Sequence, residues 1–225
     1  MTESSIREQK ILIPPEEIKN AESKFRRLAF NGIEAKTKAH IDLIEKTRHM
    51  LLESIHPTAV FCLSNIEVIS DTAARLDSHL IESRDFAKRM RDAKKAVVYI
   101  ATIGEINSDN LSVSEKFLVD CWGAAYVDAL SCDIDELIGG MLTEQGLGVS
   151  GRYSPGYGDF SIEEQKIVFS LLNGAAIGVE LLPSYVMKPL KSISGILAVS
   201  GNRGERPQFA KCEDCNISDT CVYRM

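Results

Sequence analysis

Residues 113–145 constrain this chain more than any other stretch. They are dense in Ala, Leu and apolar aromatic residues and are interrupted only by Gly123 and the pair Gly139-Gly140. A run of that length and character reads as one central buried helix, with the glycines as the points where it can bend or break. That helix forms the spine of the expected core. Residues 96–103 (AVVYIATI) are continuously apolar, β-branched in part and closed by Gly104, which is the pattern of a buried strand.

The remaining elements arrange themselves around these two. Residues 1–15 are polar, end in Pro14-Pro15 and read as an extended or disordered arm. A first helix opening on Glu16-Glu17 is expected to stop at Asn31-Gly32. Between residues 33 and 55, Ile41, Ile44, Leu51, Leu52 and Ile55 recur at near-helical spacing, and Pro57 ends that second helix. Residues 58–63 (TAVFCL) read as a strand and 85–95 as a helix. Ser161 and Glu164 have capping-box spacing at the start of a helix over 161–173, and Asn173-Gly174 stops it. Residues 176–180 and 192–199 read as two more strands. The expected fold class is α+β: an N-terminal arm with helices (1–56), an α+β domain (57–205) and a cysteine-containing tail (206–225).

Composition narrows the function classes. Hydrophobic residues make up 44% of the 225, and no apolar run approaches the ~20 residues a membrane-spanning helix needs. The formal charge of -6 gives no general attraction to nucleic acid or anionic lipid. The opening MTESSIREQK lacks the apolar core of a secretory signal, so the expectation is a cytoplasmic protein. Six cysteines divide into three scattered ones (Cys62, Cys121, Cys132) and three bunched ones (Cys212, Cys215, Cys221), which is not the layout of a secreted disulfide framework.

Residues 147–160 change character: a short strand-like stretch enters Arg152-Tyr153-Ser154-Pro155-Gly156-Tyr157. Ser154 to Tyr157 suits a type II turn, with Pro at its second position and Gly supplying positive φ at its third. Two other stretches stand in order around it. One is Ala101-Thr102-Ile103-Gly104 with the Ala-rich helix carrying Asp120, Ala124, Ala125, Asp128, Ala129 and Leu130. The other is Met187, Pro189, Lys191, Ser192, Ser194 and Gly195. Together, across residues 95–200, they resemble the activation domain of cobalamin-dependent methionine synthase, and Arg152 to Tyr157 matches that family's Arg-x-x-x-Gly-Tyr motif for S-adenosylmethionine.

The resemblance implies a C-shaped α+β domain on a twisted antiparallel sheet. It also implies an activity: S-adenosylmethionine gives its methyl group to a corrinoid that has been oxidised to cob(II)alamin, with the electron coming from elsewhere. The 225 residues do not include homocysteine, folate or corrinoid modules. The implied partner therefore carries the cobalamin, as a methionine synthase or related corrinoid methyltransferase lacking its own activation domain. The implied ligand contacts are Arg152, Pro155, Gly156 and Tyr157, with Ser192 and Ser194 on one face of a strand.

The side-chain chemistry suits such a ligand. Guanidinium is a planar, permanently charged fork that pairs with a carboxylate, Gly156 allows close backbone approach, and Tyr157 offers a ring and a hydroxyl. The plainer alternative is that Arg152 pairs with a structural acid such as Asp159 and the loop is only a tight turn. Strand serines such as Ser192 and Ser194 are commonly ordinary structural positions. Asp120 and Asp128, on an apolar helix, call for a cap, a salt bridge or an exposed edge. The histidines all precede the matching segment, so none is expected to serve the corrinoid.

The tail has its own chemistry. Cys212, Cys215 and Cys221 are spaced to ligate an iron–sulfur cluster or zinc, with a fourth ligand from a scattered cysteine, a partner or solvent. A redox dithiol or free thiols are the alternatives. Two further functional readings follow: an electron-transfer protein feeding an oxidised corrinoid through this tail, and a non-catalytic module that docks on a corrinoid protein.

Overall fold

The computed structural model describes residues 8–30 and 37–201. Nine strands and five helices follow in the order β1 (Gln9–Leu12), α1 (Ala21–Phe30), α2 (Lys38–Ser54), β2 (Thr58–Ser70), β3 (Ala73–Leu76), β4 (His79–Glu82), α3 (Arg84–Arg89), β5 (Lys95–Thr102), α4 (Val113–Glu144), β6 (Gly148–Val149), α5 (Gln165–Leu171), β7 (Glu180–Leu181), β8 (Met187–Lys188) and β9 (Ser192–Ser200). The class is α+β, as the sequence and the resemblance imply.

β5 sits between β2 and β9 and is antiparallel to both, so its backbone is paired on either side. The main sheet runs β4-β3-β2-β5-β9-β6, and β1 also pairs with β2. Both faces of this sheet are covered, which is why residues 96–103 are apolar without alternation. On one face Ala59, Phe61, Val97, Tyr99, Ala101, Leu197 and Val199 meet α1, α2 and α4. On the other, Val60, Val98, Ile100, Ile196 and Ala198 meet Phe86 and Met90 of the α3 region, Phe160, and Ile167 and Val168 of α5.

The spine helix is a single element. α4 runs unbroken through Gly123, Gly139 and Gly140, opened by a full capping box in which Ser112 and Glu115 satisfy each other's backbone donors. Gly123 serves close approach instead of bending: a β-carbon there would come within 2.6 Å of Ile106 Cδ1 and 3.2 Å of Lys191 Cε. Trp122, 1% exposed, stacks on Phe25 of α1 at 3.6 Å between ring centroids. Such a pair adds roughly 0.5–1.5 kcal/mol beyond the area it buries.

Several expectations are corrected. The expected N-terminal arm contains β1, because residues 58–61 of β2 offer a free row of backbone groups that Gln9–Leu12 fill. The first helix is divided. A 3-10 turn at Pro15–Glu17 ends in extended Ile18, and Asn20 at φ 61 separates it from α1. β2 extends well past residue 63 and continues into the β3–β4 meander, where only Ala74, Leu76 and Ile81 are buried, an alternation too short to stand out in the sequence. The helix expected over 85–95 is only the six residues of α3, and β5 begins at Lys95. Ser161 caps by accepting from Glu163 N, without the reciprocal bond of a capping box, and a 3-10 turn precedes α5. Residues 174–177 form another 3-10 turn where a strand was expected, and pairing begins at β7 with β8.

Candidate functional site

Beyond β9 the outermost chain is β6 and the segment that follows it. Gly148 and Val149 pair with Ser200 and Val199, and Tyr153 forms an antiparallel bridge with Ile196. Consecutive residues of an extended segment face opposite ways. Tyr153 turns into the α3–α5 side, where its ring stacks on Phe160 and lies 4.4 Å beneath the Arg89 guanidinium. Arg152 turns to the α4 side.

Arg152 reaches α4 across Gly195. A β-carbon on Gly195 would lie 2.7 Å from Arg152 Cδ and 2.6 Å from Tyr99 Cε1, so only glycine lets both side chains pass. The Nη1 of Arg152 then donates to Tyr99 Oη and to Asp135 Oδ2, each at 3.1 Å, while Tyr99 donates to Asp135 Oδ1 at 3.2 Å. The ion pair is largely enclosed, at 16% exposure for Arg152 and 19% for Asp135. Burial pushes the Asp135 carboxyl up to about 6, against the opposing pull of Arg152 and the Tyr99 hydroxyl. Burial works to lower the Arg152 guanidinium, but Tyr99 and Asp135 outweigh it and hold it above its ordinary value.

This corrects the expected alternative partner. Asp159 lies on the other side of the sheet, where it accepts from the Ser83 hydroxyl and the backbone N–H groups of Arg84 and Asp85. It fixes the start of α3, and those hydrogen bonds outweigh burial to lower its pKa. The acid that pairs with Arg152 is Asp135.

The turn at Ser154–Tyr157 is present: Tyr157 N donates to Ser154 O at 3.2 Å, and Gly156 has φ 95. Pro155 is buried beside it, and Gly156 N donates to Phe160 O at 2.7 Å. Tyr157 is 51% exposed, with its carbonyl held by the Tyr153 hydroxyl at 2.9 Å. Arg152 and Tyr157 thus border the same sheet edge from its two faces.

Ser192 and Ser194 share a strand face, as alternation predicts, but it is the face opposite Arg152. Ser194, 1% exposed, donates to Gln165 Oε1 at 2.9 Å, and its carbonyl accepts from Ser154 Oγ at 2.7 Å. Ser192 Oγ lies 2.9 Å from Thr102 Oγ1 and 2.7 Å from Pro189 O. Nearby, a cavity of about 400 Å³ is walled by Thr58, Thr102, Glu105, Lys10 and Lys188; Arg152 is not among its walls. The acids on α4 are paired as expected, Asp120 with Lys191 at 2.7 Å and Asp128 with Lys24 at 2.6 Å.

Cys212, Cys215 and Cys221 lie outside the described residues. Among the described residues no group of three or more His, Cys, Asp or Glu side chains is placed to hold a metal ion. Cys62 and Cys121 are buried on opposite faces of the sheet and Cys132 is exposed, all three as free thiols.

Sequence reasoning missed Asp135 and Tyr99. The available signal for Asp135 was its place between Ile134 and Ile138 on a helix read as buried, because a carboxylate so flanked needs a cationic or hydroxyl partner.

The fold defines a class of α+β protein: an antiparallel sheet covered by helices on both faces, with Arg152 on the segment that runs along the β9 edge. In particular, the chain is similar to the crystal structure of the MetH reactivation domain bound to AdoHcy. That match has a TM-score of 0.62 and 13% identity over 92% of this chain and 82% of that one. At this identity what is shared is the fold. No family model and no curated protein matches the sequence. No helix among the described residues is long and apolar enough to cross a membrane.

Proposed function

We propose that this chain binds S-adenosylmethionine at the β9 edge and supports reductive remethylation of a corrinoid held by a partner methyltransferase. The partner would be a methionine synthase or related enzyme lacking its own activation domain. The fold it shares with a reactivation domain whose structure contains AdoHcy supports this reading.

The observation that carries it is the unspent edge of Arg152. Among the described residues only Nη1 of the guanidinium has hydrogen-bond partners, and neither Nε nor Nη2 is a buried unpaired donor. On an otherwise largely enclosed arginine, that edge is open to solvent and so is free to meet a ligand. The Nε–Nη2 edge is the pair of parallel donors that takes a carboxylate bidentately, so the α-carboxylate of S-adenosylmethionine fits it. Gly156 gives the ligand access to backbone, and exposed Tyr157 gives it a ring and a hydroxyl. When bound, S-adenosylmethionine supplies an electrophilic methyl group for the partner's cobalt, with one electron from a separate donor.

The test is transfer of a labelled methyl group from S-adenosylmethionine to the corrinoid of such a partner under reducing conditions. The reading requires label on the corrinoid with the wild-type chain and its loss with Arg152→Ala. Equal transfer by both proteins overturns the site assignment.

A further inference from the structure

Arg152 is held from behind. Both of its observed contacts pass through Nη1, one to a carboxylate on α4 and one to a hydroxyl on β5. Those two partners are themselves tied by the bond from Tyr99 to Asp135, which closes a three-membered ring of hydrogen bonds. Tyr99 is inaccessible to solvent and is set in register opposite Gly195, so the anchor of the ring belongs to the rigid middle of the sheet.

We infer that Asp135, backed by Tyr99, is a positioning residue for the ligand site: it grips Nη1 so that the Nε–Nη2 edge of Arg152 is presented to the carboxylate of an amino-acid ligand. The inference rests on the function proposed above and extends it to residues outside the Arg-x-x-x-Gly-Tyr motif. Competition between Asp135 and the ligand would be the expectation had Asp135 occupied the Nε–Nη2 edge. It occupies the opposite side of the fork, so ligand and Asp135 bind the same guanidinium together. The stem of Arg152 has several rotatable bonds, and pinning one nitrogen removes rotamer freedom that the ligand would otherwise have to freeze.

This arrangement makes ligand affinity depend on one proton. The groups facing the ring are Arg152 from the edge segment, Tyr99 from β5, and Asp128 and Cys132 from α4. Asp128 is neutralised by Lys24 at 2.6 Å. Asp135, pushed up to about 6 by burial, is therefore the group that changes charge between pH 5 and 7. An α-carboxyl titrates at or below ~3.5 and an α-amino group near ~8 or above, so the ligand's charges hold through that window. Protonating Asp135 loosens its grip on Arg152.

Calorimetric titration with S-adenosylmethionine and S-adenosylhomocysteine from pH 5 to pH 7 tests this on the full chain. Wild-type affinity should fall several-fold on acidification. Asp135→Asn should bind roughly tenfold more weakly at pH 7 and show no inflection, with Asp135→Glu recovering part of both. Tyr99→Phe keeps the ring in the core and removes only the hydroxyl, so it remains informative if Asp135→Asn folds poorly; it should weaken binding by a smaller factor. Equal or tighter binding by Asp135→Asn, or unchanged binding by Tyr99→Phe, overturns the inference. Binding that Arg152→Ala abolishes and Asp135→Asn leaves untouched sinks this inference alone. No binding by the wild-type chain sinks the functional reading as well.

Discussion

Gly195 and Arg152 occupy the same space in turn: the arginine stem crosses β9 where any other residue would place a β-carbon, 2.7 Å from Cδ. The ring of Tyr99 closes the other side of that gap.

Gly195→Ala is therefore expected to destabilise the chain by about 1–3 kcal/mol, the usual cost of forcing a methyl group into a filled core. It should also displace Arg152 from Asp135. Denaturant unfolding reads the first effect and ligand titration the second. A variant as stable as wild type would contradict the close approach.

The Asp135 carboxyl makes stability depend on pH in the direction opposite to most acids. Its folded-state pKa of about 6 lies above the ordinary value of 3.8. Its contribution is complete below pH ~3.8 and is lost as pH rises through ~6, a difference on the order of 3 kcal/mol. Asp135→Asn, a neutral isostere, removes this dependence. The difference in unfolding free energy between variant and wild type should thus grow in the variant's favour from pH 4 to pH 7. A difference that stays flat, or grows in the wild type's favour, counts against the burial of this carboxyl.

Ser194 should prove structural. Ser194→Ala leaves Gln165 Oε1 without its donor in the packed α5 face, which is expected to cost about 1–2 kcal/mol. Affinity for S-adenosylmethionine should not change, because the sheet lies between Ser194 and Arg152. A large loss of affinity with little loss of stability would return Ser194 to the site.

The tail gives a prediction separable from the fold. If Cys212, Cys215 and Cys221 hold an iron–sulfur cluster or zinc, anaerobically purified protein contains that metal, and Cys212→Ser with Cys215→Ser removes it. Metal and sulfide analysis of both proteins decides the matter, and a metal-free wild type rejects the assignment. Titration with S-adenosylmethionine should be unaffected by the double substitution.

The parts of this fold that were legible in the sequence are those whose burial is uniform. β5 is covered on both faces and α4 through its middle, where Leu118 to Ile134 include most of its buried residues, so residues 96–103 and 113–145 announced themselves by apolar content alone. β1, β3 and β4 are short strands whose existence depends on pairing, β1 and β3 with β2 and β4 with β3, and no local pattern reveals such a partner. The turn at Ser154–Tyr157 was legible because Pro and Gly encode it locally. The partner of Arg152 was not. Asp159 is close in sequence, but it follows a turn that leads onto the face Tyr153 occupies, opposite Arg152, while Asp135 is delivered to Arg152 by the packing of α4.

The central claim is that Arg152 anchors an S-adenosylmethionine site, and a calorimetric titration of wild type and Arg152→Ala, paired with thermal unfolding, tests it most directly. One-site binding at ~100 times the dissociation constant adds about 2.7 kcal/mol, which raises the unfolding midpoint of a chain this size by roughly 5–10 °C. The account predicts saturable binding and that shift in the wild type, and neither in Arg152→Ala. Undiminished binding by Arg152→Ala, or none by the wild type, contradicts it.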